Sequence, residues 1–427
     1  MDAVRFLPVD TPLTYGRTAP HSGRVGDALV NFANTRTRQC VAIGAILSLP
    51  AVIIIYVLSQ FHPYLDFHVY LLGARHVFDP DLYTVRLQRI PYLPFTYPPI
   101  AALFFWPFTL VPSGLATFLW ATLILASLVL LIRLSLRLAR PDFTPQGLWA
   151  ATLLLVGPAF AMEPIWENFH FGQINLVLAM FVLYDVLERP NRRLPRGIML
   201  GLATAIKLVP FVFIAYLVLR RQFRAALVAL TTVVAAEAFM LLVNYHVTIL
   251  YWRQYAFNAQ HIGTVWYNSN QSIRGASQRL AHELLSHGLL TAFEALTILV
   301  GLCIAVALAP HVSQIATLVA VGMTGDLASP ISWTHHLVWL IPLLVWLTIA
   351  HDRPRTGPWW ALLVVSANWY SFVWIPPENG MDPLHWNLLN SVLGNVDFFI
   401  MVAALAAIGV LGWQRRKDPA ALLQPAD

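Results

Sequence analysis

Long apolar segments alternate with short polar segments along most of the chain, from Val41 to Trp413. The apolar runs hold about 15–25 residues, close to the length of a helix that crosses a bilayer. Because backbone groups in lipid must be hydrogen-bonded within their own segment, helices are the predicted elements. The pattern predicts twelve of them, at 41–61, 115–138, 148–162, 173–187, 197–207, 208–220, 225–244, 291–308, 312–330, 337–350, 357–375 and 397–412. The predicted fold class is an all-α polytopic membrane protein with about 12 transmembrane helices.

The amino-acid composition excludes a soluble enzyme. Of the 427 residues, 58% are hydrophobic and 11% are charged, whereas soluble domains carry about 25% charged residues. The net charge of +6 arises from basic residues that cluster in short loops, which is typical of membrane topology signals and not of nucleic-acid binding. The two cysteines, Cys40 and Cys303, lie far apart and imply no disulfide framework.

The basic loops define the orientation of the predicted helices. With the N-terminus in the cytoplasm, 20 of the 27 basic residues fall in inner loops and tails, six fall outside, and Lys207 lies within an apolar segment. This distribution follows the positive-inside rule. Residues 1–40 and 414–427 are then cytoplasmic tails, and 41–413 form one membrane domain. The first apolar run is expected to stay as an anchor, because the polar tail before it is too long for a signal peptide.

Two segments depart from the simple pattern of crossings. Reading 197–220 as a single span would move eight of the 20 inner basic residues outside. A broken hairpin is therefore predicted, with Lys207 and Pro210 near its turn, and the same argument predicts that 98–113 is re-entrant or interfacial. Four polar stretches then share the outer side: 62–97, 163–172, 245–290 and 376–396.

Asp66 is the candidate base of the first outer loop. It follows the first span by five residues, at the depth where water meets lipid. Partial desolvation at this depth raises the pKa of a carboxylate and makes it a stronger base. A solvated loop aspartate and a helix N-cap are the alternatives. In the same loop, 79–89 predicts a short amphipathic surface helix.

Polar side chains also occur where spans begin or break. Gln173 and Asn175 suit the recognition of sugar hydroxyl groups, with helix capping and interhelical hydrogen bonds as the alternative. Lys207 is the only lysine in the predicted apolar segments. A charge in the membrane is costly, so its presence indicates a functional role. It is a candidate to bind a lipid-linked phosphate, and snorkelling to the interface is the alternative.

Two further outer motifs carry candidate phosphate ligands. Residues 268–275 include Arg274, which could pair with a phosphate through two hydrogen bonds, although a plain turn or the glycosylation sequon at 270–272 also fits. His335 and His336 are adjacent, so on a helix they point about 100° apart and are poorly placed to share one metal ion. Donation to a phosphate or proton shuttling suits them better, and no metal site is predicted.

Six motifs together carry a resemblance to a known family. They are Asp66-Phe67-His68-Val69-Tyr70, Pro94-Phe95-Thr96-Tyr97-Pro98-Pro99, Phe171-Gly172-Gln173-Ile174-Asn175, Lys207-Leu208-Val209-Pro210, Asn270-Gln271-Ser272-Ile273-Arg274-Gly275 and Ser329-Pro330-Ile331-Ser332-Trp333-Thr334-His335-His336. In this order they resemble the polyprenol-phosphate-mannose-dependent mannosyltransferases of glycosyltransferase family 87, in the GT-C superfamily. The resemblance runs from about Phe61 to Leu347, and the histidine pair is its most specific part.

The resemblance implies an inverting α-1,2-mannosyltransferase in the cytoplasmic membrane, with its active site facing the outside. The donor would be polyprenyl phosphate mannose, and the acceptor a phosphatidylinositol mannoside that carries four mannoses and gains a fifth. Membrane lipids are further partners, and neither a nucleic acid nor a cofactor is expected. The GT-C fold would occupy 41–413.

The resemblance also implies roles for individual residues. Asp66 corresponds to the general base, and cationic or catalytic roles at the donor phosphate fall to Lys207, Arg274, His335 and His336. The remaining predicted substrate-binding residues are Gln271, Gln173, Asn175, His68 and Tyr97.

Two other functions compete with this interpretation. The first is another GT-C transferase that uses a polyprenyl phosphate sugar, such as an arabinofuranosyl or lipomannan mannosyl transferase. The second is a transporter or lipid flippase, which would carry polar residues along its spans and often inverted repeats. Here the polar residues gather on one side and no repeat is visible.

Overall fold

Helices account for nearly all the regular structure of the computed structural model, which describes residues 24–61, 64–88, 92–186, 194–281, 285–369, 372–376 and 386–417. The α-helices are α1 (Arg24–Thr35), α2 (Thr37–Phe61), α3 (Leu65–Arg75), α4 (Pro99–Phe105), α5 (Ser113–Ala139), α6 (Pro145–Phe160), α7 (Glu163–Phe171), α8 (Asn175–Val186), α9 (Ile198–Ile206), α10 (Phe211–Leu219), α11 (Phe223–Val243), α12 (Tyr245–Leu250), α13 (Ala259–Ile262), α14 (Ile273–Leu280), α15 (His287–Leu308), α16 (Gln314–Ala328), α17 (Leu340–Ile349), α18 (Gly357–Trp369), α19 (Leu388–Leu393) and α20 (Val396–Lys417). Short 3₁₀ or π turns lie at Trp106–Leu110, Tyr251–Tyr255, Ala309–His311, Thr334–His336 and Phe372–Trp374. Over these ranges extended pairing is limited to two isolated bridges, Arg86 with Pro94 and Asn270 with Trp333. The predicted all-α class is confirmed.

All twelve predicted apolar segments contain a helix, but the predicted number of membrane crossings is not confirmed. Within the described ranges, five helices are long and apolar enough to cross: α2, α5, α11, α15 with its 3₁₀ extension, and α20. A sixth crossing arises if α6 and α7, which bend by 80° at their junction, form one span. The helices α8, α16 and α17 have 12, 15 and 10 residues, and at about 1.5 Å per residue they fall short of a bilayer core about 30 Å thick. Hydropathy therefore predicted where helices form but not how far each extends.

The predicted broken hairpin is present. Gly197, just before α9, and Gly201 on α9 approach the backbone of α11 at Ala225 and Ala229 respectively, so these two helices run in the same direction. Gly197 has φ of +112° and lies against the Ala225 carbonyl, a position that only glycine fits. Only three residues separate the end of α10 from the start of α11. Because α11 begins beside the start of α9, α10 must return toward that end. Lys207 lies in the turn between α9 and α10.

Ion pairs tie the helices together at the end of the bundle that carries the arginine clusters. Arg140, after α5, pairs with Asp142 at 2.6 Å and with Asp27 of α1 at 3.0 Å. Arg415 of α20 pairs at 3.5 Å with Asp352, which also accepts a hydrogen bond from the Ser313 amide. Helix α1 packs here against α6 and α17, so the second half of the predicted tail 1–40 is part of the fold.

The opposite end of the bundle carries the predicted outer segments. Trp120 of α5 is fully buried there, stacks on Phe67 of α3 at 5.5 Å, and donates from Nε1 to the Gly172 carbonyl at 2.8 Å. This contact fixes the first outer loop against the start of α8.

The predicted surface helix at 79–89 is absent from the part of that segment which the structure describes. Residues 79–84 form turns instead, closed by His76, whose Nδ1 lies 2.9 Å from Asp81 and 3.3 Å from Asp79. These side-chain contacts compete with a regular helix for the same residues.

Candidate active site

Asp66 lies in the first turn of α3 and is half-buried. Its Oδ2 accepts a hydrogen bond from Gln173 Nε2. Burial raises the pKa of Asp66 to about 6, although the Gln173 hydrogen bond and the Lys207 charge act in the opposite direction. Tyr64 occupies the N-cap position of α3, so Asp66 is neither a cap nor a freely solvated loop residue. Its environment is that of a carboxylate suited to accept a proton near neutral pH.

Gln173 is oriented toward Asp66 by two tyrosines. Tyr70 donates to Gln173 Oε1 at 2.8 Å, and the Tyr97 hydroxyl lies 3.0 Å from the Tyr70 hydroxyl and 3.5 Å from the same Oε1. With its oxygen occupied, the amide presents its NH₂ group to Asp66. Tyr70 was not among the predicted site residues, although its position four residues after Asp66 places both on one face of α3.

A left-handed residue holds Gln173 in place. Gly172 ends α7 with φ of +70°, and the Gln173 amide donates to the Asn168 carbonyl at 2.8 Å. A Cβ at Gly172 would lie 2.7 Å from the Tyr64 Cβ.

Replacing Gly172 with alanine is expected to destabilise the protein and to lower its activity. The left-handed conformation alone costs about 1–2 kcal/mol for an L-residue, and the clash with Tyr64 displaces Gln173. Thermal unfolding in detergent measures the effect. Gly114→Ala is the matched control, because a Cβ there meets nothing within 4 Å, and an equal loss of stability in both variants would contradict the prediction.

Lys207 and His336 form the cationic part of the site. Lys207 Nζ donates to Asn175 Oδ1 at 2.7 Å, lies 3.0 Å from His336 Nε2, and stands 5.6 Å from the centre of the Tyr97 ring. An ammonium group only donates, so His336 Nε2 accepts, which fixes the neutral tautomer with the proton on Nδ1. Asn175 Nδ2 is also 3.4 Å from Gln173 Oε1. One network therefore connects Asp66 to Lys207.

His335 packs behind His336 and does not point at the same partner. Its carbonyl accepts from Asn168 Nδ2 at 2.7 Å and from Asn175 Nδ2 at 3.0 Å, which ties the histidine turn to α7 and α8. Its ring is buried against Phe171, with ring centres 5.7 Å apart, and Nε2 has no hydrogen-bond partner among the described residues.

Arg274 lies outside this cluster. Its guanidinium pairs with both carboxylate oxygens of Glu294 on α15, with NH2 2.7 Å from Oε2, and also contacts Thr291 at 3.2 Å. The two-pronged hydrogen bonding that suggested a phosphate ligand for Arg274 here connects α14 to α15.

Gln271 and His68 also have structural partners. Gln271 is fully buried, donates to the Asn268 and Gly394 carbonyls, and accepts from the Phe398 amide at 3.0 Å. His68 Nδ1 lies 3.0 Å from the Tyr64 carbonyl one turn back on α3. Neither residue joins the hydrogen-bond network between Asp66 and Lys207 in the described structure.

The loop 268–275 is a structural turn. Asn270, the first residue of the sequon, is fully buried, donates to the Val265 and Pro330 carbonyls, and accepts from the Ser332 amide at 2.8 Å. It holds the loop against the segment before the histidine pair, which agrees with the plain-turn alternative and not with a glycosylated asparagine.

Two buried carboxylates near the cluster were not assigned from the sequence. Glu163 Oε1 accepts hydrogen bonds from Thr334 Oγ1 at 2.8 Å and from Trp374 Nε1 at 2.9 Å, so it holds the turn that contains the histidine pair. Asp326 of α16 shares a cavity with Lys207. Asp326, like Lys207, is a charged residue within an apolar segment, so the cost of a charge in the membrane indicated it as well.

One group of side chains in the described ranges could hold a metal ion. The ligand atoms of His76, Asp79 and Asp81 lie within 4.8 Å of one another. The group follows the C-terminal end of α3, whereas Asp66 is at the N-terminal end, about 15 Å away along the helix. It is separate from the cluster that contains Asp66 and Lys207.

Comparisons with known proteins identify the family of the chain. The sequence profile of glycosyltransferase family 87 matches residues 95–330. A relative from Mycobacterium tuberculosis (strain CDC 1551), named polyprenol-phosphate-mannose-dependent alpha-(1-2)-phosphatidylinositol pentamannoside mannosyltransferase, is 34% identical over 72% of this chain and 72% of its own length. A relative from Mycolicibacterium smegmatis, named polyprenol-phosphate-mannose-dependent alpha-(1-2)-phosphatidylinositol mannoside mannosyltransferase, is 32% identical over 74% of this chain and 76% of its own. No solved structure matches significantly. The chain is a member of glycosyltransferase family 87.

Proposed function

We propose that this enzyme transfers mannose from polyprenyl phosphate mannose to a phosphatidylinositol mannoside by a single inverting displacement. The names of its relatives supply the substrate class. The observation that carries the proposal is the network that places a carboxylate, Asp66, and an ammonium group, Lys207, on two sides of one site through Gln173 and Asn175. Such a reaction needs one base for the acceptor and one cation for the departing phosphate.

The steps follow from these positions. Asp66 takes the proton of the acceptor hydroxyl while the hydroxyl oxygen attacks C1 of the donor mannose. The bond between C1 and the phosphate oxygen breaks, and the phosphate leaves with the electron pair. Lys207 neutralises the charge that develops on the phosphate, and His336 holds Lys207 in place. Attack opposite the leaving group inverts C1, so a β-linked donor gives an α-linked product.

We further propose a phosphatidylinositol tetramannoside acceptor that becomes a pentamannoside through a new α-1,2 bond. The site would face the outside of the cytoplasmic membrane. Support for this side comes from the arginine clusters, which lie at the opposite end of the helices from Asp66 and are typical of cytoplasmic loops. We propose that Tyr97, Gln173 and Asn175 order the site and contact sugar or phosphate groups.

Transfer by the purified enzyme in nanodiscs tests the proposal. The donors are polyprenyl phosphate mannose and polyprenyl phosphate arabinose, and the acceptors are phosphatidylinositol mannosides with four and with five mannoses. The proposal expects the mannose donor and the tetramannoside to give the highest kcat/KM. Preference for the arabinose donor would favour the arabinofuranosyl alternative. Preference for the pentamannoside would mean that the enzyme adds the sixth mannose and not the fifth.

The activity is expected to decline below about pH 6. The general base works as a carboxylate, and the pKa of Asp66 is raised to about 6, so each further pH unit downward removes about nine-tenths of the active form. The pH profile of kcat/KM for the acceptor measures this limb. In Gln173→Leu the stabilising hydrogen bond to the carboxylate is lost, and the limb is expected to move to higher pH. An acid limb that stays at the same pH in this variant would contradict the assignment.

A further inference from the structure

Asp326 is a buried carboxylate in α16 with an unpartnered oxygen. Asp326 is 3% exposed, and its Oδ2 has no hydrogen-bond partner among the described residues. It lines a cavity of about 40 Å³ together with Lys207, Asn175 and His336. The other walls are apolar and come mainly from α8, from α10 and the turn before it, and from the residues just before α17. The mechanism proposed above makes no use of this carboxylate.

The cavity has the size and polarity to hold water between Asp326 and Lys207. A buried water needs roughly 10–15 Å³ and two to four polar partners, and this cavity offers a carboxylate, an ammonium group, an amide and an imidazole. A buried carboxylate is costly unless a charge or hydrogen bonds compensate it. The ammonium group on the same cavity is the available counter-charge.

Lys207 in turn has no hydrogen-bonded carboxylate among the residues that the structure describes. Its hydrogen-bond partners, Asn175 and His336, are neutral. Asp66 is the other carboxylate that acts on it, but Asp66 loses its charge when it takes the acceptor proton. At that moment the phosphate is leaving and the ammonium charge is needed most.

We propose that Asp326 is a positioning residue that keeps Lys207 charged, through water in this cavity, so that Lys207 can bind and stabilise the donor phosphate. This inference rests on the proposed function, because it assumes a donor that carries a phosphate. Asp326 itself touches no substrate. The other titratable groups that face Lys207 are Asp66 from α3, Tyr97 before α4, and His335 and His336 before α17, and the test leaves all of them unchanged.

The test is the affinity of the full-length protein for a short-chain polyprenyl phosphate as a function of pH. Wild type is expected to bind it and to lose affinity at alkaline pH, when Lys207 loses its proton. In Asp326→Asn the alkaline limb is expected about one pH unit lower or more, which weakens binding about tenfold within that window. Asp326→Glu keeps the charge and is expected to keep the wild-type limb.

Two controls separate a charge effect from a structural effect. Thr324→Val lies two residues away on α16, is isosteric and buried, and is expected to bind like wild type. In a Lys207→Arg background the cation does not titrate, so the alkaline limb is expected to disappear and adding Asp326→Asn is expected to leave the affinity unchanged. Equal losses from Asp326→Asn in both backgrounds, or an unshifted limb in the single variant, would overturn the inference while wild-type binding stands. Absence of binding by wild type would instead overturn the proposed function.

Discussion

Replacement of Asp66 by asparagine is expected to lower kcat by about a thousandfold, within the range of 10²–10⁴ that a general base contributes. Asparagine has the same shape and can still accept the hydrogen bond from Gln173, so the site keeps its geometry. It cannot take a proton from the acceptor hydroxyl. Donor affinity is expected to stay at the wild-type value, because the proposed partner of Asp66 is the acceptor hydroxyl. Steady-state transfer and equilibrium binding of the donor phosphate, measured on the same preparation, separate these two effects.

Asp79→Asn is the matched control for that variant. Asp79 belongs to the same outer segment, but its side chain is 54% exposed and contacts His76 beyond the far end of α3. Its replacement is expected to leave kcat unchanged. Near wild-type turnover in Asp66→Asn would remove Asp66 from the base role and direct attention to Glu167, whose charge acts on the same position.

Replacement of Lys207 by methionine is the second large effect. Removing one group that stabilises transition-state charge costs about 10²- to 10³-fold, and methionine fills nearly the same space without the charge. The loss is expected in kcat/KM for the donor, accompanied by weaker binding of polyprenyl phosphate. The acceptor KM is expected to change little, because the proposed partner of Lys207 is the donor phosphate.

Arg274→Gln distinguishes the two basic candidates. Because Arg274 pairs with Glu294 on α15, its replacement leaves a largely buried carboxylate without its partner. We expect a lower unfolding temperature and an unchanged donor KM. The reverse pattern, a stable protein that binds donor poorly, would return Arg274 to the phosphate site and contradict the structural role described here.

The apolar pattern predicted the helices because each run long enough to avoid water also satisfies its own backbone. It did not predict how many of them cross, since helices such as α8, α16 and α17 have 15 residues or fewer and are shorter than the bilayer core is thick. The charge pattern did predict the hairpin of α9 and α10. Its success has a physical basis, because a single wrong crossing would have placed eight basic residues on the unfavourable side.

The candidate site was predictable where motifs fold locally and unpredictable where partners come from distant helices. Six residues from four of the motifs and the histidine pair meet in one network, as the motifs suggested: Asp66, Tyr97, Gln173, Asn175, Lys207 and His336. The sequence could not show that Arg274 pairs with Glu294, because the two residues lie on different helices and no sequence pattern connects them. It also could not show that Gln271 closes a loop, because an amide that binds a sugar and an amide that closes a loop have the same composition.

The anomeric configuration of the product distinguishes one displacement from two. The proposed reaction is a single displacement at C1, with Asp66 as base and no covalent intermediate. Purified enzyme is supplied with β-linked polyprenyl phosphate mannose and acceptor, and the new linkage is determined by NMR. An α-linked mannose is expected. A β-linked product would mean retention through two displacements, which would make Asp66 a nucleophile and contradict the mechanism.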